Sequence, residues 1–176
     1  MQLAIQEILG CFGVPREFVV TIPKDYSHIN QLKAFDERLG RNEPDDDVYC
    51  LDQNFCEENF NKTSDKLKAG KTYVVSFFPV LDLVSAQYCL ELLRHKQSLL
   101  VSAQGLTLFS ELNKDMFLFG KEVTAFDVDS SLWTDEQMYS WLPVVQRQKD
   151  GSVCFSLTHN KAFFTPTHEV LCVNNA

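Results

Sequence analysis

The chain has 176 residues, a net charge of −8, a pI near 4.9 and 45% hydrophobic residues. That length fits one domain, and the hydrophobic fraction is that of a globular protein, which excludes disordered and collagen-like classes. A chain of this length buries roughly 70% of the surface that its unfolded form exposes, so it can form its own core. Because no linker or repeat divides the sequence, we expect a single domain over residues 1–176.

The net charge is concentrated in one short stretch. Residues 43–58, called the acidic segment below, contain seven acidic residues and no base. Residues 1–42 are neutral overall, residues 59–126 carry a net +2, and residues 127–176 carry a net −3. A function that depends on charge would therefore involve residues 43–58.

Charge and hydropathy argue against two classes of partner. Nucleic-acid binding needs clustered Lys and Arg, and the most basic stretch, 62–71, has only four lysines, with an aspartate among them. The most apolar run, 73–84, is too short to cross a bilayer. The N-terminus lacks the basic region of a signal peptide. We therefore expect a soluble cytoplasmic protein without a direct nucleic-acid or membrane partner.

The cysteine distribution is consistent with a reducing compartment. Six cysteines are spread along the chain with no dense framework, and most are expected to be small buried hydrophobic residues. A secreted disulfide protein is the alternative. The cysteines are Cys11, Cys50, Cys56, Cys89, Cys154 and Cys172.

The spacing of apolar residues predicts a helix-rich N-terminal half. The clearest helix is Ser27 to Gly40, with Ser27 at its start and Gly40 just past its end. The other elements predicted here are a helix over 2–10, a strand from Glu17 to Ile22, an exposed acidic loop over 41–51, a short helix from Asp52 to Phe60 and a loop over 61–70.

A strand, a helix and a second strand are predicted next. Residues 71–80 are dense in Val, Phe and Tyr, which favours a central strand covered on both faces. A helix is predicted from Ser85 to about Gln97, followed by a strand over 98–103. This order is typical of a βαβ unit with parallel strands. A helix hairpin packed on an antiparallel sheet is equally compatible with it.

The C-terminal third is predicted to be rich in strands, and its clearest feature is a hairpin. If 149–151 forms a three-residue loop with Gly151 in a left-handed conformation, Val145 faces Phe155 and Arg147 faces Val153. That register places the apolar residues inward and Cys154 outward. Around the hairpin we predict a helical turn over 107–112, a strand over 121–126, a short helix capped by Thr134 and Gln137, and a last strand over 169–173.

These elements together predict an α+β fold. We expect one domain with a mixed or antiparallel sheet and helices packed on it, with a helix-rich N-terminal half and a β-rich C-terminal third.

Two short sequence patterns resemble known ligand-binding loops but are incomplete. Residues 70–72 match the end of a phosphate-binding loop, yet position 65 is Asp rather than Gly. Asp127, Asp129, Ser131 and Asp135 resemble half of a calcium loop, but position 132 is Leu where glycine is needed and position 138 is Met where Glu is needed. We therefore predict no metal and no cofactor.

Cysteine and histidine patterns give two weaker hypotheses. Cys154, His159, His168 and Cys172 are four zinc-type ligands within 19 residues, but the first two would point to opposite faces of one strand. A cysteine nucleophile needs a histidine close in space, which sequence spacing cannot exclude. The alternative to a binding function is thus a cysteine-dependent hydrolase or transferase.

The acidic segment provides the main functional hypothesis. With no catalytic signature in the sequence, we expect a protein that is not an enzyme and that binds another macromolecule, with a basic protein the favoured partner. Other interpretations are a solvated loop that aids solubility and a nucleic-acid mimic. The predicted partner-binding residues are Glu43, Asp45, Asp46 and Asp47.

Overall fold

The computed structural model describes residues 2–39 and 48–176 and has the predicted α+β architecture in a single domain. Its helices are α1 (Gln2–Gly10), α2 (Gln31–Leu39), α3 (Ala86–His95) and α4 (Ser102–Leu112). Its strands are β1 (Arg16–Thr21), β2 (Val48–Leu51), β3 (Thr72–Pro79), β4 (Val84–Ser85), β5 (Glu122–Thr124), β6 (Trp133–Thr134), β7 (Ser140–Arg147), β8 (Val153–His159), β9 (Phe163–Phe164) and β10 (His168–Asn175).

The main sheet is mixed. Its strand order is β1-β3-β10-β5-β7-β8-β2, and β6 pairs with β7 outside that path. The β10–β5 and β8–β2 pairs are parallel and the other pairs are antiparallel. Strands β4 and β9 form a separate antiparallel pair. The edges of the sheet are therefore β1 at one side and β2 at the other.

Each face of the sheet covers its own hydrophobic core. Strand β3 alternates between them: Tyr73, Val75 and Phe77 enter the first core, and Phe78 enters the second. Helices α2 and α4 cover the first core, and α1 and α3 cover the second. The prediction that residues 71–80 form a central strand covered on both faces is confirmed.

The predicted β7–β8 hairpin is confirmed in its register. Val145 pairs with Phe155, and Arg147 pairs with Val153. Gly151 has a φ of 90°, a conformation that glycine adopts without steric cost. The opposite face of the hairpin is only half-buried at Gln146 and Cys154. Alternating hydrophobicity and one glycine were sufficient to predict this register.

The strand predicted over 98–103 is wrong. Only Leu99 makes a β-bridge, to Val173, and α4 begins at Ser102. Residues 102–110 of α4 are all buried, so tertiary packing outweighs the strand propensity of the preceding sequence. Because β3 pairs antiparallel with both neighbours and α3 and α4 lie on opposite faces, neither a βαβ unit nor a helix hairpin forms.

Several element boundaries also differ from the predictions. Helix α2 begins at Gln31 rather than Ser27, and residues 53–60 form turns rather than a helix. The helix predicted after Thr134 is absent. Instead, the Asp135 carboxylate accepts hydrogen bonds from the amides of Gln137 and Tyr139 and closes the β6–β7 turn. Hydrogen bonds that an Asp side chain accepts from nearby backbone amides compete with helix formation in this way.

The helices of the described residues are short. The longest, α4, has 11 residues, and no helix within 2–39 or 48–176 is long and apolar enough to span a membrane.

An ion pair joins β1 and β10, the first and last strands of the chain. The Arg16 guanidinium lies 2.7 Å from Glu169 Oε2 and also donates a 2.7 Å hydrogen bond to the Met116 carbonyl. Its carbon Cζ lies 5.0 Å from the ring centre of Phe77. Glu169 is only 2% exposed, so its charge depends on Arg16 for compensation.

We predict that Glu169→Gln lowers the free energy of unfolding by about 3 kcal/mol, because it leaves the Arg16 charge partly buried without its partner. Urea denaturation measures the change. The control is Glu91→Gln, which breaks the exposed Glu91–Arg94 pair and should cost less than about 0.5 kcal/mol. Equal effects of the two substitutions would contradict the structural role of the buried pair.

Candidate functional site

The predicted binding residues Glu43, Asp45, Asp46 and Asp47 lie outside the described residues. The structure describes the acidic segment from Val48 onward. This part begins with β2, an edge strand of the sheet, and continues through Asp52. The Asp52 amide donates a hydrogen bond to the Phe155 carbonyl, and its carboxylate accepts one from the Asn54 amide. Strand β8 therefore anchors the C-terminal half of the acidic segment.

A cleft of about 850 Å³ opens beside this anchor, between α2, α4 and the start of β8. We call it the α2–α4 cleft. Its apolar floor includes Phe35, Leu108 and Phe155. Its polar lining residues are Asp25, Tyr26, Ser27, Asn30, Gln31, Arg38, Ser110, Glu111, Asn113 and Lys114. A concave surface with an apolar floor and several polar groups is the usual form of a binding site.

A hydrogen-bond network joins the two helices across the cleft. Arg38 Nε donates to Glu111 Oε1 at 2.7 Å, and Gln31 Nε2 donates to Glu111 Oε2 at 2.8 Å. Both oxygens of Glu111 are thus engaged, and Arg38 compensates its charge. Asp25 is exposed and makes no hydrogen bond or ion pair with any described residue, which leaves its carboxylate available in the cleft.

Chain connectivity relates the cleft to the acidic residues that the structure does not describe. Helix α2, which lines the cleft up to Arg38, ends at Leu39. Strand β2 resumes the description at Val48, which pairs with Val153, another residue of the cleft. The chain therefore leaves and re-enters the described structure at two elements that border the cleft. Sequence analysis missed the cleft because its walls come from distant segments.

A buried histidine lies next to the cleft residue Tyr26. The Tyr26 hydroxyl and His28 Nδ1 are 2.6 Å apart, and the Leu67 amide donates to the same nitrogen at 3.4 Å. His28 Nε2 is buried and has no hydrogen-bond partner among the described residues. Burial, together with the nearby charge of Lys66, lowers the pKa of His28 to about 4. His28 is therefore neutral in the folded protein near pH 7.

This histidine should make the fold sensitive to mild acid. The unfolded protein binds a proton at His28 below about pH 6.5 and the folded protein only below about 4, so stability falls as pH drops between these values, by up to about 3 kcal/mol. His28→Asn, which retains an acceptor, should flatten that part of the curve. Urea denaturation at pH 7.0, 5.5 and 4.5 tests this. His95→Asn is the matched exposed control, and an unchanged slope for His28→Asn would contradict the prediction.

The free cysteines do not have the environment of a nucleophile. Cys11, Cys56, Cys89 and Cys172 are free thiols, and Cys154 is disulfide-bonded. Burial raises the pKa of all four free thiols. The charges of Asp82 and Glu7 raise the pKa of Cys11 further. A catalytic cysteine needs the opposite effect, a nearby cation that stabilises the thiolate.

We predict slow and similar iodoacetamide labelling of Cys11 and Cys56 in the folded protein at pH 7.5, and almost none at buried Cys89 and Cys172. Labelling in urea at the same pH should be faster at all four, because unfolding removes the burial that raises their pKa. Peptide mass spectrometry over time measures each rate. One cysteine that reacts much faster in the folded state than in urea would instead support the enzyme hypothesis.

The metal-binding patterns do not assemble. Within the described part of the chain, no group of three or more His, Cys, Asp or Glu residues could hold a metal ion. Cys172 is buried in β10, and the disulfide occupies Cys154. Gly70, with a φ of 72°, serves a tight turn before β3 rather than a phosphate loop.

One group of residues that sequence analysis did not identify has a hydroxyl, a histidine and a carboxylate linked in the order found in a catalytic triad. His168 Nδ1 is 3.1 Å from the Thr165 hydroxyl, and His168 Nε2 is 3.1 Å from Glu122 Oε2. However, the Thr165 backbone amide also donates to Nδ1 at 3.1 Å. That bond occupies the lone pair that a general base would use, so the histidine caps a turn before β10.

Comparisons with known proteins identify no relative: no protein-family model, no curated protein and no solved structure matches this chain. Functional inference therefore depends on the α2–α4 cleft and on the distribution of charge.

Proposed function

We propose that this protein binds another macromolecule, and that the partner is a basic protein segment seated at the α2–α4 cleft beside the acidic segment. The observation that carries the proposal is the position of the acidic segment in the chain, next to residues that line the cleft. The stretch with seven acidic residues and no base begins five residues after Arg38 of the cleft and runs into a strand paired with Val153 of the cleft.

The lining of the cleft is suited to a peptide. Its open shape between two helices, its apolar floor and its exposed amide and hydroxyl groups can accept an extended chain with apolar and basic side chains. Asp25 offers a carboxylate without a partner among the described residues, and we expect the acidic segment, which follows α2 in the chain, to extend that negative charge. Complementary charge of this kind speeds association and selects against acidic partners.

We favour a protein over a nucleic acid or a membrane as the partner, because both present anionic surfaces that the acidic segment would repel. We propose a cytoplasmic location because four described cysteines are free thiols, the state that a reducing compartment maintains. The disulfide of Cys154 is the opposite indication, because disulfides persist in oxidising compartments. The raised thiol pKa values do not favour the alternative of a cysteine-dependent enzyme.

The first experiment removes the charge of the acidic segment. A variant with Glu43→Gln, Asp45→Asn, Asp46→Asn and Asp47→Asn should bind a fluorescent Lys/Arg-rich peptide about tenfold more weakly than the native protein at low salt. The same variant should fail to recover from cell extract the partner that the native protein retains. Fluorescence anisotropy and quantitative pull-down provide the two readouts.

The control variant has the same net charge as the acidic-segment variant. Glu7→Gln, Glu17→Gln, Asp82→Asn and Glu136→Gln neutralise four exposed acids elsewhere and should leave both readouts near the native values. A separate variant, Asn30→Trp, narrows the cleft without a change in charge and should also weaken binding. If partner recovery at low salt is unchanged by the acidic-segment variant, or if both charge variants lose binding equally, the proposal is wrong.

A further inference from the structure

A second cavity, on the other face of the sheet, is distinct from the proposed docking site. It has a volume of about 630 Å³ and lies between α3 and the chain that follows β5. We call it the α3 groove. Its apolar walls include Leu90, Leu100, Phe126, Leu132 and Leu142. This volume is within the range of small-molecule sites, roughly 300–1,000 Å³.

A buried carboxylate lines the α3 groove. Asp127 is 1% exposed, and its oxygens accept hydrogen bonds from the Val128 amide at 2.8 Å, from the Ser64 amide at 3.2 Å and from the Ser64 hydroxyl. All three donors are neutral. No Lys, Arg or His among the described residues forms an ion pair with Asp127. Buried carboxylates in proteins are usually paired with a cation, so this one is an exception.

Other acceptors lie in the same groove. Asn160 Oδ1 is buried and has no hydrogen-bond partner within residues 2–39 and 48–176, and the exposed Asp129 lines the groove next to Asp127. Of the two cationic side chains in the lining, Arg94 is engaged with Glu91 at 2.6 Å. The other, Lys161, is exposed and makes no ion pair with Asp127. The groove thus combines apolar walls with an excess of acceptors.

The pKa of Asp127 also indicates that this carboxylate lacks a cationic partner in the described part of the chain. Burial raises the pKa of Asp127, and the nearby charge of Asp65 acts in the same direction. The hydrogen bonds from Ser64 and Val128 lower this pKa, but no cation among the described residues contributes to lowering it. A cationic group in the groove would stabilise the carboxylate. Hydrogen bonds to charged groups are stronger than hydrogen bonds between neutral groups, so such a bond can select a cationic ligand.

We propose that the α3 groove binds a small organic amine, with the ammonium group at Asp127 and an apolar body along Leu90, Leu132 and Leu142. The acceptors Asp129 and Asn160 provide further hydrogen bonds for the ammonium end. This site is independent of the α2–α4 cleft, which lies on the opposite core.

The experiment compares three probes that share an apolar body and differ in charge. They are 2-phenylethylamine, 2-phenylethanol and 3-phenylpropanoate, each titrated into the full-length protein near pH 7 and followed by protein NMR chemical shifts. We expect saturable one-to-one binding of the amine, with shifts around α3 and residues 126–132. The neutral alcohol should bind about tenfold more weakly, and the carboxylate more weakly still.

Three variants test whether the amine binds at Asp127 in the α3 groove. Asp127→Asn should weaken amine binding about tenfold and abolish the preference over the alcohol. Ser64→Ala removes a hydrogen bond to Asp127 without removing its charge, so the preference for the amine should persist. Leu90→Trp fills the groove and should weaken binding of the amine and the alcohol together. It tests the location even if Asp127→Asn does not fold.

Three outcomes would overturn the proposal. The first is the absence of saturable amine binding below about 10 mM, and the second is equal affinity for the amine and the alcohol. Amine binding that is unaffected by Leu90→Trp would place the site elsewhere and would also reject it.

Discussion

Burial of the central strands on both faces of the sheet is the constraint on which the rest of the structure depends. Strands β3 and β10 place alternate side chains into two separate cores, so neither face can be left open to solvent. Each face needs its own pair of helices, and the chain supplies them with α2 and α4 on one side and α1 and α3 on the other. Apolar burial contributes roughly 25 cal/mol per Å², so this double coverage dominates the stability of the fold.

The same constraint determines where polar groups can be functional. Inside the layers, Arg16 compensates the charge of the buried Glu169, whereas the margins of the helical layers remain accessible. Both cavities occur at such margins. The α2–α4 cleft lies over the first core near the β2 edge, and the α3 groove lies over the second core beside the loop after β5. One sheet therefore presents two chemically different surfaces, one next to the acidic segment and one rich in buried acceptors.

The polar groups of the two sites differ in how the fold uses them. In the α2–α4 cleft, Glu111 accepts hydrogen bonds from Arg38 and Gln31, so this network joins the two helices and leaves the Asp25 carboxylate available. In the α3 groove, Asp127 joins two loops through Ser64 and has no cationic partner among the described residues. The first arrangement is suited to docking on a surface, and the second to enclosing a small cation.

The sequence alone determined the α+β class, the central position of residues 71–80 and the register of the β7–β8 hairpin. These features depend on local alternation and on a glycine at 151, which neighbouring residues encode. The sequence also located the excess negative charge in residues 43–58. Only the tertiary structure decided that residues 102–110 are helical, because burial on all sides outweighs local propensity there. The positions of both cavities also depend on the tertiary structure, because the residues that line each cavity are distant in sequence and meet only when the helical layers pack on the sheet. Examples are Asp25, Glu111 and Phe155 in the α2–α4 cleft, and Leu90, Asp127 and Asn160 in the α3 groove.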